Sequence, residues 1–142
     1  MLVDTDGDGV FDRSTVYVDQ LDSPTAVACY NGGVLVASAP DLLFCKDTDG
    51  DGRADVTEKL YTGFDISERG GGARLNSIRW NIDLQFYLCT SFSGGVVRSL
   101  KAPGQEPVQV TNRGFQFDPV SHAMAATTGA GRHGMAFDGT GN

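Results

Sequence analysis

The sequence predicts an all-β protein built from repeated antiparallel units, and three observations carry that expectation. Short runs rich in β-branched and aromatic residues alternate with Gly, Pro and Asn turns along most of the 142 residues. No stretch holds a helical apolar period, and 19 glycines suit a turn-rich β chain. The acidic motif Asp-Thr-Asp-Gly-Asp-Gly occurs twice, at residues 4–9 and 47–52, a spacing of 43 residues.

Taken in order, strands are predicted over residues 14–21, 25–30, 33–38 and 41–46. Asn31-Gly32-Gly33 joins the second and third as a hairpin, and Pro40-Asp41 supplies the next turn. Four more strands are predicted over residues 77–80, 85–90, 96–100 and 107–111, with turns at 93–95 and 102–106. The order turn, strand, short turn, strand of residues 31–45 recurs over 82–100, and residues 133–142 resemble the opening of another unit. A 43-residue recurrence lies within the roughly 40–45 residues of a four-stranded propeller blade. The expected architecture is therefore a partial β-propeller of about three blades. Its units are the end of a blade (1–23), a blade (24–64), a second blade (73–118) and the start of another (119–142). An open β-sandwich is the alternative.

Composition narrows the function classes. Hydrophobic residues make up 40% and charged residues 20%, as in a globular chain rather than a disordered one. A net charge of −7 argues against a nucleic-acid partner, which needs clustered Lys and Arg. No apolar run is long enough to span a membrane, and no signal peptide opens the chain. Both ends are abrupt, which predicts a piece of a longer protein. Cys29, Cys45 and Cys89 form no CxxC pair; buried free thiols are expected, with a Cys29–Cys45 bridge as an option in an oxidising compartment.

The acidic motif carries the clearest chemistry. Asp at loop positions 1, 3 and 5, Gly at 6 and Asp at 9 is the pattern that wraps calcium in oxygen ligands. Alternate spacing turns successive carboxylates inward, and the glycine permits the sharp bend. The first copy supplies Asp4, Asp6, Asp8 and Asp12, with the Val10 carbonyl at position 7. The second supplies Asp47, Asp49, Asp51 and Asp55, with the Arg53 carbonyl. Glu58 stands at position 12 of the second copy and completes the D-x-[DN]-x-[DN]-G-x5-E pattern, whereas the first has Thr15 there. Neither copy is flanked by helices, so calcium loops between strands are expected, with a structural metal and the second loop the stronger. A solvated Asp/Gly turn is the alternative.

Elsewhere the sequence is less specific. The two histidines are His122 and His133. His133 in a Gly-rich approach to a strand, with Arg132 beside it, is expected near Arg74, Asn76 and Arg79 as a polar cluster. These four (His133, Arg74, Asn76 and Arg79) are the catalytic candidates. Trp80 and Tyr87 are expected to fill space between blades. Gly70-Gly71-Gly72 lacks the context of a phosphate loop.

The stretches of residues 4–21, 24–64, 74–80, 86–91, 115–119 and 131–142 together resemble the N-terminal propeller of the membrane-bound dehydrogenases, also called PVC-type haem-binding CxxCH proteins. That propeller is similar to the sorbosone and soluble glucose dehydrogenases that use pyrroloquinoline quinone. The segment from Pro24 to Asp55 carries the resemblance most specifically. The chain departs from the family pattern at Gly72-Ala73, Asn81 and Gly139-Thr140. The resemblance implies a periplasmic or exported protein that oxidises a sugar or polyol. Electrons would pass to a quinone or a c-type haem located elsewhere, in a cytochrome domain joined to the rest of the propeller. The alternative function is a non-catalytic, calcium-stiffened binding module for glycans or a protein partner. A calcium-stiffened scaffold is the third. The chain by itself is expected to be inactive.

Overall fold

The computed structural model describes residues 1–67, 74–129 and 131–141. Twelve strands form three antiparallel sheets, and no helix occurs among the described residues. β1 (Leu2–Val3) and β2 (Arg13–Ser14) form a short ribbon whose tip is the first acidic motif. β3 (Ala26–Tyr30), β4 (Gly33–Ser38), β5 (Asp41–Lys46) and β6 (Val56–Phe64) form a meander, with the second acidic motif between β5 and β6. β7 (Asn76–Trp80), β8 (Phe86–Cys89), β11 (Gly114–Phe117) and β12 (Met124–Thr127) form a second four-stranded sheet. β9 (Gly95–Ser99) and β10 (Val108–Gln109) join the first meander, extending it to six strands in the order β10-β9-β6-β5-β4-β3. None of the sheets closes on itself among the described residues.

The two larger sheets share one core. Leu35, Ala37, Leu42, Leu60, Tyr61 and Phe64 of the six-stranded sheet face Ile78, Phe86, Leu88, Phe115, Phe117 and Met124 of the other. Each of these residues is buried. The six-stranded sheet is covered on its other face too, where Val36, Leu43 and Cys45 pack against Tyr17, Val18 and Leu21. Burial on both faces explains why β4 and β5 read as nearly unbroken apolar runs rather than alternating ones. Aromatic rings close the seam: Tyr30 stacks on Trp80 at 6.2 Å between centroids, and Trp80 meets Phe86 at 4.7 Å.

The structure corrects several expectations. The span 73–118 does not form a single meander, because β9 and β10 leave it for the neighbouring sheet while β11 pairs with β8. Glycine makes that transfer possible. Gly63 (φ +102°) lies so close to β9 that a Cβ would stand 2.1 Å from the Val96 carbonyl oxygen. A Cβ on Gly95 (φ +121°) would stand 2.2 Å from the Gly63 oxygen. Only a residue without a side chain permits that approach. The predicted strand at 14–21 is paired only at Arg13–Ser14; beyond it the chain lies across the outer face of the six-stranded sheet, where Tyr17 contributes to the small core. The triple glycine at 70–72 lies outside the described residues.

A Cys29–Cys45 bridge is excluded by register. Both cysteines are partners of Val34, from opposite sides, so β4 lies between them. Two strand spacings amount to roughly 9.5 Å, beyond the ~7 Å that a disulfide spans. All three cysteines are free: Cys29 is exposed, while Cys45 and Cys89 are buried. Burial pushes the Cys45 and Cys89 thiols above their ordinary pKa.

Candidate functional site

The two acidic loops share one hydrogen-bond scheme, although Asp4, Asp6 and Asp8 converge in the first and Asp47, Asp49 and Asp55 in the second. Asp4 accepts the backbone N–H groups of Gly7 and Gly9 at 2.7 and 2.9 Å; Asp47 accepts those of Gly50 and Gly52 at 2.7 and 2.8 Å. Asp8 accepts from Val10 N–H, and Asp51 from Arg53 N–H, both at 2.7 Å. Asp12 takes the Thr5 hydroxyl at 2.6 Å, and Asp55 takes that of Thr48 at 2.9 Å. Each loop is closed by a matching backbone bond, Asp12 N–H to Val3 O and Asp55 N–H to Lys46 O. Gly7, Gly9, Gly50 and Gly52 all have φ between +80° and +89°, which bends the chain back so that the N–H groups point inward.

These hydrogen bonds hold the carboxylates in place against their mutual repulsion. The Gly9 and Gly7 N–H groups keep Asp4 below the usual carboxylate pKa, and Thr48 does the same for Asp55 through its N–H and hydroxyl. Oxygens of Asp4, Asp6 and Asp8 lie within 4.8 Å of one another, as do those of Asp47, Asp49 and Asp55. The donor set is wholly hard oxygen, and a carboxylate that accepts one or two N–H bonds still has lone pairs to offer. The residues present therefore fit a hard divalent cation.

Glu58 does not join this group. It lies in β6 opposite Phe44, and its carboxylate is 2.7 Å from Lys101 Nζ. The strand begins at Val56, so by position 12 the chain has left the loop and its side chains alternate across a sheet. The expected advantage of the second loop over the first through this ligand is thereby corrected. Thr5 and Thr48 were the residues that ligand counting overlooked. Their signal was the repeated Thr at position 2 of both copies.

The two loops also touch. Arg13 Nη2 donates to the Asp51 carbonyl at 3.5 Å, Ala54 N–H to Tyr17 O at 2.8 Å, and Asp47 N–H to Tyr17 Oη at 2.9 Å. The first ribbon and the segment after it are thus seated on the second loop.

Two of the polar candidates, Asn76 and Arg79, bond to backbone carbonyls. Asn76 Nδ2 donates to the carbonyls of Arg74 and Arg132, at 2.7 and 3.1 Å, and Arg79 Nε donates to Met135 O at 3.3 Å. Segment 131–135 therefore runs along β7, with His133 exposed between the two contacts. The Arg132 guanidinium lies over the Phe92 ring at 5.8 Å. A related contact ties β3 to β7, where the Thr25 hydroxyl donates to Leu75 O. Trp80 bridges the two large sheets but stays 46% exposed, and Tyr87 packs on Phe137 at 5.0 Å. Among the described residues, no hydrogen bond joins His133 to a nucleophile or carboxylate in a relay that would mark a catalytic base.

No curated protein and no solved structure matches the chain. The whole of it, residues 1–142, matches the family described as Domain of unknown function (DUF7133). The chain belongs to that family.

Proposed function

We propose that this chain is a calcium-stiffened β-propeller portion of an exported, sugar- or polyol-oxidising protein. The observation that carries the metal half is the identical hydrogen-bond scheme of two acidic loops 43 residues apart. In the first loop Asp4, Asp6, Asp8 and Asp12 would hold the cation; in the second, Asp47, Asp49, Asp51 and Asp55. The Val10 and Arg53 carbonyls would complete the shells. The cation neutralises the carboxylates and fixes a strand connection; it takes no part in chemistry.

The propeller reading is supported by side-chain bonds linking one unit's first strand to the backbone of the next. Thr25 reaches Leu75, and Asn76 reaches Arg132. The oxidoreductase half rests on the family resemblance and on the Arg74, Asn76, Arg79 and His133 end. There the cations would orient an anionic or hydroxyl-rich ligand, and a quinone or c-type haem elsewhere would take the electrons. A glycan- or protein-binding module without catalysis is the second reading, favoured by the lack of a proton relay at His133 among the described residues.

Dye-linked oxidation of aldoses and polyols by a protein that contains this chain together with its cytochrome, with and without added quinone, separates the two. Turnover that falls on Arg79→Ala supports oxidation. No turnover under any loading, with saccharide binding retained, supports the module.

A further inference from the structure

The fully buried ring of Tyr61 and the imidazole of His122 lie edge to face beside the β11–β12 turn. Tyr61 is 0% exposed and is held by Phe115 and Phe117, with ring centroids 5.2 and 5.0 Å away. His122 lies across its ring, centroids 6.5 Å apart and planes at 62°. Tyr61 Oη and His122 Nδ1 are both buried, and neither has a hydrogen-bond partner among the described residues. Local bonds fix the backbone of the turn: Asp118 accepts the N–H groups of Val120 and Ser121, and its own carbonyl accepts His122 N–H at 2.9 Å. His122 itself adopts φ +59°.

Two unpaired buried polar atoms carry a heavy desolvation cost unless something joins them. Their hydrogen-bonding characters are complementary, since a phenol donates and an imidazole bearing its proton on Nε2 accepts at Nδ1. Gln105, whose Nε2 donates to Met124 O at 3.1 Å, leaves its Oε1 buried and unpaired as a second acceptor near the same end of β12. One water has two protons to give and lone pairs to receive the phenol proton. We propose that an internal water joins Tyr61 Oη to His122 Nδ1, and that this bridge pins the β11–β12 turn only while His122 is neutral.

Charges facing His122 come from three places. Asp118 lies in its own turn, Glu58 comes from β6, and Lys101 follows β9. Burial and Lys101 favour the neutral ring, and the two carboxylates oppose them, with a net lowering. A histidine whose folded pKa lies below its unfolded value contributes stability above that unfolded value and loses it as the pH falls below. On protonation Nδ1 becomes a donor, and the bridge loses its acceptor.

The experiment is thermal unfolding of the 142-residue chain and its Tyr61→Phe variant at pH 7.5 and pH 5. The bridge predicts a Tm for the variant about 3–5 °C lower at pH 7.5, with the gap narrowing as falling pH protonates His122. NMR titration of His122 should show its pKa raised in the variant, because a partner of the neutral form is gone. A Tyr61→Phe variant as stable as the parent at pH 7.5, or more stable, overturns the bridge. So does an unchanged His122 titration, or a stability gap that does not depend on pH.

Discussion

Asp4 and Asp47, separated by 43 residues, hold the same position in the same structure: each carboxylate draws in two glycine N–H groups, all four bonds between 2.7 and 2.9 Å. The equivalence extends to the threonine that grips the ninth residue and to the backbone bond that closes the loop. Two loops that agree at so many atoms are two copies of one device. What one binds, the other should bind.

Asp47→Asn removes the negative charge from this position of the second loop and keeps an acceptor for only one of the Gly50 and Gly52 N–H groups, which bond to different carboxylate oxygens. Calcium affinity at that loop should fall by about tenfold or more, since ligand charge count sets the strength of such sites. Glu58→Gln should leave calcium affinity unchanged, because Glu58 is engaged with Lys101. Its cost in stability should be at most about 0.5 kcal/mol, as befits a partly exposed ion pair. Calorimetric titration of both variants checks the pair.

Asp4 and Asp55 both titrate below their ordinary value of 3.8. Folded carboxylates with depressed pKa add stability that is fully present above the unfolded value and lost as the pH drops through the folded one. Without added cation, the contribution of these two carboxylates should therefore hold steady from neutrality to about pH 4–5 and be lost below that. NMR titration of the two side-chain carboxyls provides the direct check.

Gly63→Ala should be among the costliest single changes in the chain, lowering stability by about 2–4 kcal/mol. It places a methyl 2.1 Å from the Val96 oxygen at a φ of +102°. Gly104→Ala serves as control, having nothing within 4 Å of the added carbon. Denaturant unfolding of the two variants should separate them clearly.

Thiol chemistry should follow burial. Cys29 is exposed and lines a cavity of about 680 Å³ with Val27, Val34 and Val36, whereas Cys45 and Cys89 are buried with raised pKa. A single alkylation per folded chain, at Cys29, is the expected outcome of brief iodoacetamide treatment read by mass spectrometry. Mild oxidation should produce no Cys29–Cys45 link.

Much of the first half of the fold was legible because its signals are local. Asn31-Gly32-Gly33 and Pro40-Asp41 mark the bounds of β4, and the carboxylate spacing marks the loops. β6 was harder: Val56–Phe64 mixes Glu58 and Lys59 with Leu60 and Tyr61, and a bulge at Leu42/Leu43 breaks its alternation. The exchange of β9 into the neighbouring sheet was not legible. It depends on the close approach of Gly63 and Gly95, two residues whose pairing no local signal marks. Glu58 shows the same limit in the site. Its spacing satisfied a ligand pattern written for a loop entering a helix, whereas a strand starting at Val56 carries it toward Lys101.

Calorimetric titration of calcium into the metal-free chain, paired with its melting temperature, decides whether the two loops are cation sites. Saturable heat with two equivalents bound per chain, and a Tm that rises with calcium, is the predicted result. No heat and no rise in Tm at millimolar calcium would contradict it, and would leave the loops as turns held by their glycine N–H groups alone.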